Sequence, residues 1–346
     1  MVSKTELIHP LSRRSFLKVT GSLALGSALL PFSSVAKEIL PLKEINRAAF
    51  TMGSIVTFTC YHEDELLCNL AIDEAIVEMK TIDRLMSVHN PDSHLSLVNR
   101  HSFEKEVTVD MRIVEVITRA KQFHDLTAGA FDVTIEPLMK LYGFRDDVSV
   151  HRFPTDKEVA QTLEGVGMNN VTKNKELRTI SLAHKTTQLD LGGIAVGYAI
   201  DRAIAILKSN GIESALINHS GDIYALGAPP EEDFWEIGIV DPMLPEEIIT
   251  TTRINNQALS TSGNYENFVE ADGKRIGHLL NPATGKPSST ILSGTTIAPS
   301  AIEADALSTG LFVMGIEKAK NVMPQLNHVQ FIGVVENGEG QEIVRM

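Results

Sequence analysis

The chain has 346 residues, of which 43% are hydrophobic and 22% charged, and its formal net charge is −13. A chain of this length and composition can bury a large core, as one unit or as two coupled ones. The acidic balance excludes a general nucleic-acid binder, because neutralising phosphates needs clustered lysine and arginine. Only Cys60 and Cys68 occur, which excludes a disulfide scaffold and leaves a single bridge between them open.

The first 36 residues have the pattern of an export signal. Arg13 and Arg14 precede an apolar stretch at 19–32, which is followed by small residues of the kind that signal peptidase prefers. The apolar stretch is too short and too rich in Gly and Ser for a permanent membrane span. We expect residues 1–36 to be a twin-arginine signal peptide and residues 37–346 to form one periplasmic domain. The alternative is a retained anchor that holds the protein at the periplasmic face of the inner membrane.

The next segment alternates strand and helix patterns. A glycine turn at Met52 and Gly53 opens a run of alternating apolar residues, which predicts a strand. Residues 65–86 and 112–126 have helical spacing, and the first of these ranges predicts a long amphipathic helix that packs on the core.

A turn of small residues follows the second helix and is a candidate ligand contact. Gly129 and Ala130 let a flat ligand come close to the backbone, and Phe131 and Asp132 follow them. The Asp132 carboxylate could hydrogen-bond to such a ligand. The alternative is an ordinary loop in which Asp132 caps a local turn.

The most informative stretch covers residues 188–227. An apolar run ending near Asp190 meets Gly192 and Gly193, and apolar residues then recur at helical spacing, which predicts a strand, a tight turn and a helix. Glycines at a helix start let main-chain N–H groups approach an anion, and the helix dipole favours negative charge there. A phosphate-bearing ligand is the first hypothesis, and the alternative is that the glycines only make the turn. The spacing is not the G-x-G-x-x-G fingerprint of dinucleotide-binding folds.

Strand patterns dominate the remainder of the chain. They occur at 214–218, 235–239 and 258–265, and residues 156–165 predict a helix followed by a hairpin. His278 stands at the end of another strand, before a turn made by Asn-Pro and Gly. A histidine in such a place can face a ligand and move protons.

The last pattern is a helix start with candidate metal ligands. Ser300 and Glu303 form a capping-box pattern, which predicts a helix from about Ala301. Asp305 and Thr309 are four residues apart and therefore share one helix face. A carboxylate and a hydroxyl on neighbouring turns suit Mg²⁺, which also keeps waters and phosphate oxygens as ligands. The alternative is an ordinary surface pair.

Eight segments, in this order, resemble the ApbE family of FAD:protein FMN transferases. They are MGS from Met52, MSVHNPDSHLSLVNR from Met86, AGAFDVTIEPL from Ala128, LDLGGIAVGYAIDRA from Leu189, INHSGDIYALG from Ile217, STSGNYENF from Ser260, HLLNPATGKP from His278 and EADALSTGLFVMG from Glu303. Together they span nearly the whole chain beyond the signal. The resemblance implies an α+β fold, the ApbE-like flavin transferase fold, with mixed sheets and packed helices in one large unit or two intimately coupled subdomains.

The resemblance also implies an exported transferase of a phosphorus-containing group. Such an enzyme binds FAD, cleaves its pyrophosphate with Mg²⁺, attaches FMN through a phosphoester to a Thr or Ser of an acceptor flavoprotein subunit, and releases AMP. Carried over by position, it implies FAD contacts at Met52, Gly129, Ala130, Phe131, Asp132, Asp190 and Val196. It implies metal binding by the main chain near Gly193 and by Asp305 and Thr309, and catalytic roles for Asp305 and for His278 as the proton acceptor.

Three positions depart from the family pattern. Val196 stands where the family usually has Lys, Ser220 where it has Gly, and Asn281 where it has Asp. Val196 bears most on activity, because a valine cannot place a cation near the phosphates and one charged hydrogen bond is worth about 1.5–3 kcal/mol. Asn281 removes a carboxylate that could have oriented the His278 ring, although an amide can still hydrogen-bond.

These departures keep two alternatives open. One is a non-catalytic FAD-binding or flavin-carrier protein. The other is an FAD pyrophosphatase, in which water replaces the protein hydroxyl and the products are FMN and AMP. The retained Asp305, Thr309 and His278 favour the transferase, since a carrier has less need of a metal and a base.

Overall fold

The structure of the chain is a computed structural model that describes residues 41–145, 152–264, 267–271, 274–338 and 340–346. These residues belong to one compact unit, Pro41–Met346. The export-signal hypothesis rests on residues outside the described ranges. Within those ranges, no helix combines the length and the apolar character needed to cross a membrane.

Several helices begin where a side chain caps the first amides. Asp64 accepts a hydrogen bond from Leu67 N at 3.0 Å, and Asp110 accepts one from Arg112 N at 2.9 Å. In chain order the described helices are α1 Glu65–Met86, α2 His94–His101, α3 Met111–Leu126, α4 Glu136–Leu141, α5 Asp156–Leu163, α6 Gly192–Ser209, α7 Ala301–Met314 and α8 Ile316–Val322. The predicted helices at 65–86 and 112–126 are confirmed, whereas α2 is too short for its periodicity to have predicted it.

The described strands form one large sheet and three smaller ones. They are β1 Lys43–Thr51, β2 Ser54–His62, β3 Val107–Thr108, β4 Val171–Asn174, β5 Thr179–Leu182, β6 Ser214–His219, β7 Asp222–Leu226, β8 Trp235–Val240, β9 Ile248–Ile254, β10 Gln257–Gly263, β11 Phe268–Ala271, β12 Lys274–Gly277, β13 Ser293–Ala298, β14 Gln330–Asn337 and β15 Gly340–Arg345. The large sheet has the order β1-β2-β6-β7-β10-β13-β14-β15, and its neighbouring strands are all antiparallel.

The large sheet has a core on each face. Phe331 belongs to the main core, which includes α1, α6 and α7, while the next residue, Ile332, packs with Trp235 and Ile297 under the β8–β9 hairpin. Successive residues of a strand point to opposite faces, so the two clusters cover opposite faces of the sheet. All residues of β13 are buried as a result. The predicted α+β class is confirmed, and Cys60 and Cys68 are both buried and free.

A third, smaller core ties α4 to the strand that precedes His278. Leu138 of α4 and Tyr142, the residue after this helix, pack with Ile276 of β12 and with Leu280. His278 lies between the last two of these residues in the chain. The packing of α4 therefore fixes the segment that carries His278.

The start of α7 is capped from a neighbouring helix. The helix begins at Ala301, as predicted, but the predicted capping box is wrong, because Ser300 makes no side-chain cap bond. The Asp201 carboxylate of α6 instead accepts hydrogen bonds from the Ala301 and Ile302 amides, at 2.7 and 3.0 Å. The Glu303 side chain, the other half of the predicted box, is hydrogen-bonded through Oε1 to His328 Nε2 at 2.9 Å. A tertiary contact thus replaces the local cap.

Candidate functional site

Helices α6 and α7 approach closely at a glycine. A Cβ atom on Gly197 would lie 2.3 Å from the Ala301 carbonyl oxygen and 2.8 Å from the Asp305 Cβ, so a larger residue does not fit there. The Gly197 amide donates a hydrogen bond to Asp305 Oδ2 at 2.9 Å. The approach therefore places a carboxylate of α7 against the first turns of α6.

The first turn of α6 departs from helical geometry at Gly193. Its φ and ψ are −88° and 21°, and Leu191 before it provides no side-chain cap. A Cβ atom on Gly193 would lie 3.4 Å from Thr309 Oγ1 and 3.5 Å from Phe131 Cε2. The structure thus brings the three predicted metal-binding positions, Gly193, Asp305 and Thr309, to one contact between α6 and α7.

The Asp305 carboxylate lies in surroundings that disfavour its charge. The residue is 5% exposed. The Gly197 amide is the carboxylate's one hydrogen-bond donor within the described residues. Burial raises the pKa of Asp305 well above its ordinary value and the nearby Asp222 carboxylate raises it further, whereas the Gly197 amide lowers it. A buried carboxylate with spare lone pairs is stabilised by a cation beside it.

A group of hydroxyls joins β10 to α7 beside this carboxylate. Ser308 Oγ lies 3.1 Å from Ser260 Oγ and 2.8 Å from Ser262 Oγ. Ser262 Oγ lies 3.3 Å from Thr309 Oγ1. These contacts orient the Thr309 hydroxyl next to the Gly193 main chain.

Two hairpin turns meet at the neighbouring strand ends. The β1–β2 turn holds Met52 at a φ of 48°, and the β6–β7 turn holds Ser220 at a φ of 53°. The Ser220 hydroxyl, which the usual glycine of the family would lack, is hydrogen-bonded to the Ser54 hydroxyl of the first turn. The second turn leads to Asp222, whose pKa burial raises to about 6 although a hydrogen bond with Ser260 lowers it. Asp222 had no predicted role, and the structure places it in the electrostatic surroundings of the predicted metal site.

Of the two ring nitrogens of His278, one has a hydrogen-bond partner among the described residues. Its Nδ1 lies 3.0 Å from the Asn267 carbonyl oxygen, so Nδ1–H is the donor and Nε2 keeps its lone pair. Burial lowers the pKa of His278, and Arg145 lowers it too, whereas the Asn267 carbonyl and Asp190 raise it. The net direction keeps the ring neutral at pH 7, the form that accepts a proton.

An ion-pair network that the sequence did not reveal lies next to Asp190. Arg145 Nε donates to Glu136 Oε2 at 2.8 Å, and Arg145 Nη2 donates to Asp190 Oδ2. Asp190 Oδ1 accepts the Gly192 amide N–H at 2.8 Å. The predicted FAD contact Asp190 is therefore tied both to the start of α6 and to a buried guanidinium. Arg145 lies in a stretch without a motif, so no sequence signal identified it.

The predicted contact turn at Gly129 is formed, but the carboxylate that follows it is used internally. Gly129 has a φ of 84°. Asp132 Oδ1 accepts hydrogen bonds from Thr134 N at 2.8 Å and Thr134 Oγ1 at 2.6 Å, and Asp132 Oδ2 lies 3.2 Å from His124 Nδ1. The carboxylate raises the pKa of His124. These contacts match the local-cap alternative, and an FAD contact by residues 129–132 stays a prediction.

Two departures from the family pattern lie in different surroundings. Val196 is half-buried and packs against the main core from α6. Asn281 Oδ1 accepts hydrogen bonds from the Ala283 and Thr284 amides, at 2.9 and 3.3 Å. Residue 281 therefore builds its own turn, and the main chain of Asn267 orients the His278 ring instead.

The residues around Asp305 fit a cation of the Mg²⁺ type. Three His, Cys, Asp or Glu side chains do not come together as a ligand set anywhere in the described ranges. The predicted site has one carboxylate, one hydroxyl and main-chain groups, and Mg²⁺ commonly takes one or two protein carboxylates with waters and substrate phosphates. A kinked, glycine-rich helix start beside a buried carboxylate is typical of an enzyme site for a phosphate-bearing ligand.

The comparisons with known proteins identify the family. The model of the ApbE family matches residues 52–332. The FAD:protein FMN transferase of Vibrio cholerae is 30% identical over 309 residues, which cover 87% of this chain and 90% of that one. The FAD:protein FMN transferase of Haemophilus influenzae is 29% identical over 329 residues, 92% and 94% of the two chains. The chain belongs to the ApbE family and is an enzyme of the transferase class.

Solved structures of the family share the fold. The crystal structure of the ApbE protein from Thermotoga maritima matches with a TM-score of 0.80 at 30% identity, over 88% of this chain and 97% of that one. The apo form of the Pseudomonas stutzeri flavinyl transferase ApbE matches with a TM-score of 0.79 at 28% identity, over 89% and 96%. The predicted ApbE-like fold is therefore confirmed.

Proposed function

We propose that the protein is a Mg²⁺-dependent FAD:protein FMN transferase, which cleaves FAD, attaches FMN through a phosphoester to a Thr or Ser of an acceptor flavoprotein subunit, and releases AMP. The name shared by the relatives supports the reaction. One observation supports the dependence on a cation: the Asp305 carboxylate is buried, since the residue is only 5% exposed. In the described part of the chain, one amide serves this carboxylate as a hydrogen-bond donor.

Phosphoryl transfer needs charge neutralisation and alignment more than covalent help from the enzyme. Asp305 and Thr309, with the main chain near Gly193, would hold Mg²⁺, which when bound neutralises the diphosphate and stabilises the leaving phosphate. The absence of side chains at Gly192 and Gly193 lets the phosphates approach the start of α6. The chain's own contribution is therefore to fix the cation and the diphosphate in one place.

His278 would act on the incoming hydroxyl of the acceptor. Its Nδ1 is engaged by the Asn267 carbonyl, which leaves Nε2 free to take the hydroxyl proton. In the step, the acceptor O–H bond breaks, a bond forms between that oxygen and the FMN phosphorus, and the bond from this phosphorus to the bridging oxygen breaks to release AMP. The proton goes to His278 Nε2.

The export of the protein is a separate part of the proposal. The twin-arginine pattern with Arg13 and Arg14 supports a division into a signal at 1–36 and a periplasmic domain at 37–346, either free or held at the inner membrane. Replacing both arginines by lysine should keep the protein in the cytoplasm. Cell fractionation checks this, and unchanged export of the variant would contradict the assigned route.

The activity is tested with purified protein, FAD and Mg²⁺, with and without an acceptor domain from an exported electron-transfer flavoprotein. The transferase predicts AMP together with a covalent FMN mass on the acceptor, and both should disappear when EDTA removes the cation. AMP without labelled acceptor would instead establish the pyrophosphatase. Binding of FAD with neither product would establish the carrier.

A further inference from the structure

Arg145 connects α4 to the start of α6 inside the candidate site. Its guanidinium lies between Glu136 Oε2, at 2.8 Å from Nε, and Asp190 Oδ2, which accepts from Nη2. The side chain is 14% exposed, and the side chains of Glu136 and Asp190 are 3% and 13% exposed. An arginine buried between two carboxylates holds both in a fixed geometry, because its planar fork presents several donors at once.

Asp190 is fixed from both sides. Its Oδ1 accepts the Gly192 amide at 2.8 Å, and its own amide donates to the Val133 carbonyl at 2.8 Å. Without Arg145, the Oδ2 atom would lose its guanidinium partner while the residue stayed partly buried. The orientation of Asp190, and with it the first amide of α6, therefore depends on Arg145.

The same pair of charges lies near His278. Phe144, the residue before Arg145, packs on the small core that contains Ile276 and Leu280, which flank this histidine in the chain. Arg145 lowers the pKa of His278 and Asp190 raises it, in addition to the effects of burial and of the Asn267 carbonyl. Farther out, Lys140 Nζ lies 3.7 Å from Glu136 Oε1, so that carboxylate is shared between two cations. The pKa of His278 therefore depends on two opposite charges, the Arg145 guanidinium and the Asp190 carboxylate.

We propose that Arg145 is a positioning residue for flavin transfer, which orients Asp190 at the start of α6 and balances the negative charge of this carboxylate near His278. The effect on turnover rests on the proposed function. The effect on the histidine does not rest on it, because it depends only on the two charges near the ring.

The direct test is a pH titration of the His278 ring by NMR, with the signal assigned from a His278→Gln variant. In Arg145→Met the midpoint should move to higher pH, because a positive charge is lost while Asp190 stays. In Arg145→Lys it should stay near the wild-type midpoint, because the charge is kept. Removing both charges in Arg145→Met/Asp190→Asn should return the midpoint toward wild type.

Arg112 provides a matched control. It also lies between two carboxylates, with Nη2 at 2.9 Å from Glu78 Oε2 and Nη1 at 3.2 Å from Asp110 Oδ1, and its side chain is 28% exposed. It is not among the groups that shift the pKa of His278. Arg112→Met should therefore lower thermal stability without moving the His278 midpoint.

Kinetics give the second readout. With FAD and Mg²⁺, the acid limb of kcat/KM for AMP release should move in Arg145→Met in the same direction as the NMR midpoint, and kcat/KM should fall about tenfold to hundredfold, the effect of one lost charged hydrogen bond. Arg145→Gln replaces the Met variant if that one does not fold. An unchanged His278 midpoint in a folded variant overturns the proposal. Absence of AMP from the wild type would refute the proposed function instead, and the NMR result would still decide the role of Arg145.

Discussion

Asp201 and Asp305 lie at the same contact between α6 and α7, and each accepts hydrogen bonds from the other helix. Asp201 accepts two amides of α7, at 2.7 and 3.0 Å, whereas Asp305 accepts one amide of α6, at 2.9 Å. Burial raises the pKa of Asp201 to about 6. The pKa of Asp305 is raised well above its ordinary value, because the Asp222 carboxylate adds to burial.

This contrast separates a carboxylate that serves the fold from one that we propose for the metal site. Two amides at a helix start satisfy Asp201 and use it as a cap. Asp305 has fewer donors and more burial, and the neighbouring Asp222 carboxylate raises its pKa, whereas the Arg119 guanidinium lowers the pKa of Asp201. Such a carboxylate is costly without a cation and favourable with one. We therefore assign Asp201 to the fold and Asp305 to the chemistry.

The strongest test of this assignment is Asp305→Asn. We expect AMP release to fall about a thousandfold, because the anionic ligand of the cation is lost and metal catalysis is worth several kcal/mol. Folding should not be weakened, since Asn can still accept the Gly197 amide and no charge is buried. AMP release by chromatography and thermal unfolding measure the two effects, and an active variant would remove the metal assignment.

A second test concerns His278, the proposed proton acceptor. His278→Gln should lower transfer by about a hundredfold, the usual range for a positioned general base. FAD affinity should stay the same, because the ring acts on the acceptor hydroxyl. In the wild type the neutral ring is active and burial lowers the pKa of His278, so activity rises with pH along an acid limb below the ordinary histidine range. A limb that persists in His278→Gln would contradict this.

Val196→Lys probes the first turns of α6 with a smaller expected effect. Val196 is half-buried against the core, and a lysine there can extend its ammonium group toward solvent and the phosphates. FAD should bind about tenfold more tightly or turn over about tenfold faster. Steady-state kinetics measure both, and Val196→Met is the control for side-chain length. No gain over the Met variant would show that position 196 is remote from the phosphates.

The smallest effect is expected for Asp201→Ala, which should leave AMP release unchanged and lower stability by about 1 kcal/mol through loss of the cap. The pKa of Asp201 is raised on folding, so its stabilising contribution is complete below the unfolded pKa of about 4 and is lost as pH rises through about 6. The difference from wild type should therefore shrink over this window. Urea unfolding at several pH values measures it, and a difference that grows with pH would contradict the assignment.

Local patterns predicted the parts of the fold that depend on nearby residues. Helical spacing predicted α1 and α3, and the positive-φ turn at Met52 lies where a glycine-containing turn was expected. The start of α7 was predicted at the right residue with the wrong cap, because the real one comes from Asp201, which is 100 residues away. Strand β1 was not predicted, because its nine residues, KEINRAAFT, do not alternate regularly between apolar and polar types.

Sequence spacing predicted those site residues that lie on one helix. It did not predict those that only the packing of distant segments brings together. Asp305 and Thr309 share a face because they are four residues apart on a helix. Arg145 meets Glu136 and Asp190 from 9 and 45 residues away, and only the packed structure brings them together. Asp222 approaches Asp305 because β7 neighbours β10, a pairing that local periodicity does not encode.

The most direct measurement of the central claim is a crystal of the protein with FAD and Mn²⁺, analysed by anomalous diffraction. The account predicts one strong manganese peak that contacts both Asp305 and Thr309 Oγ1 and the diphosphate oxygens of the nucleotide, and no such peak in Asp305→Asn. A peak elsewhere, or a nucleotide bound away from the α6–α7 contact, would contradict it.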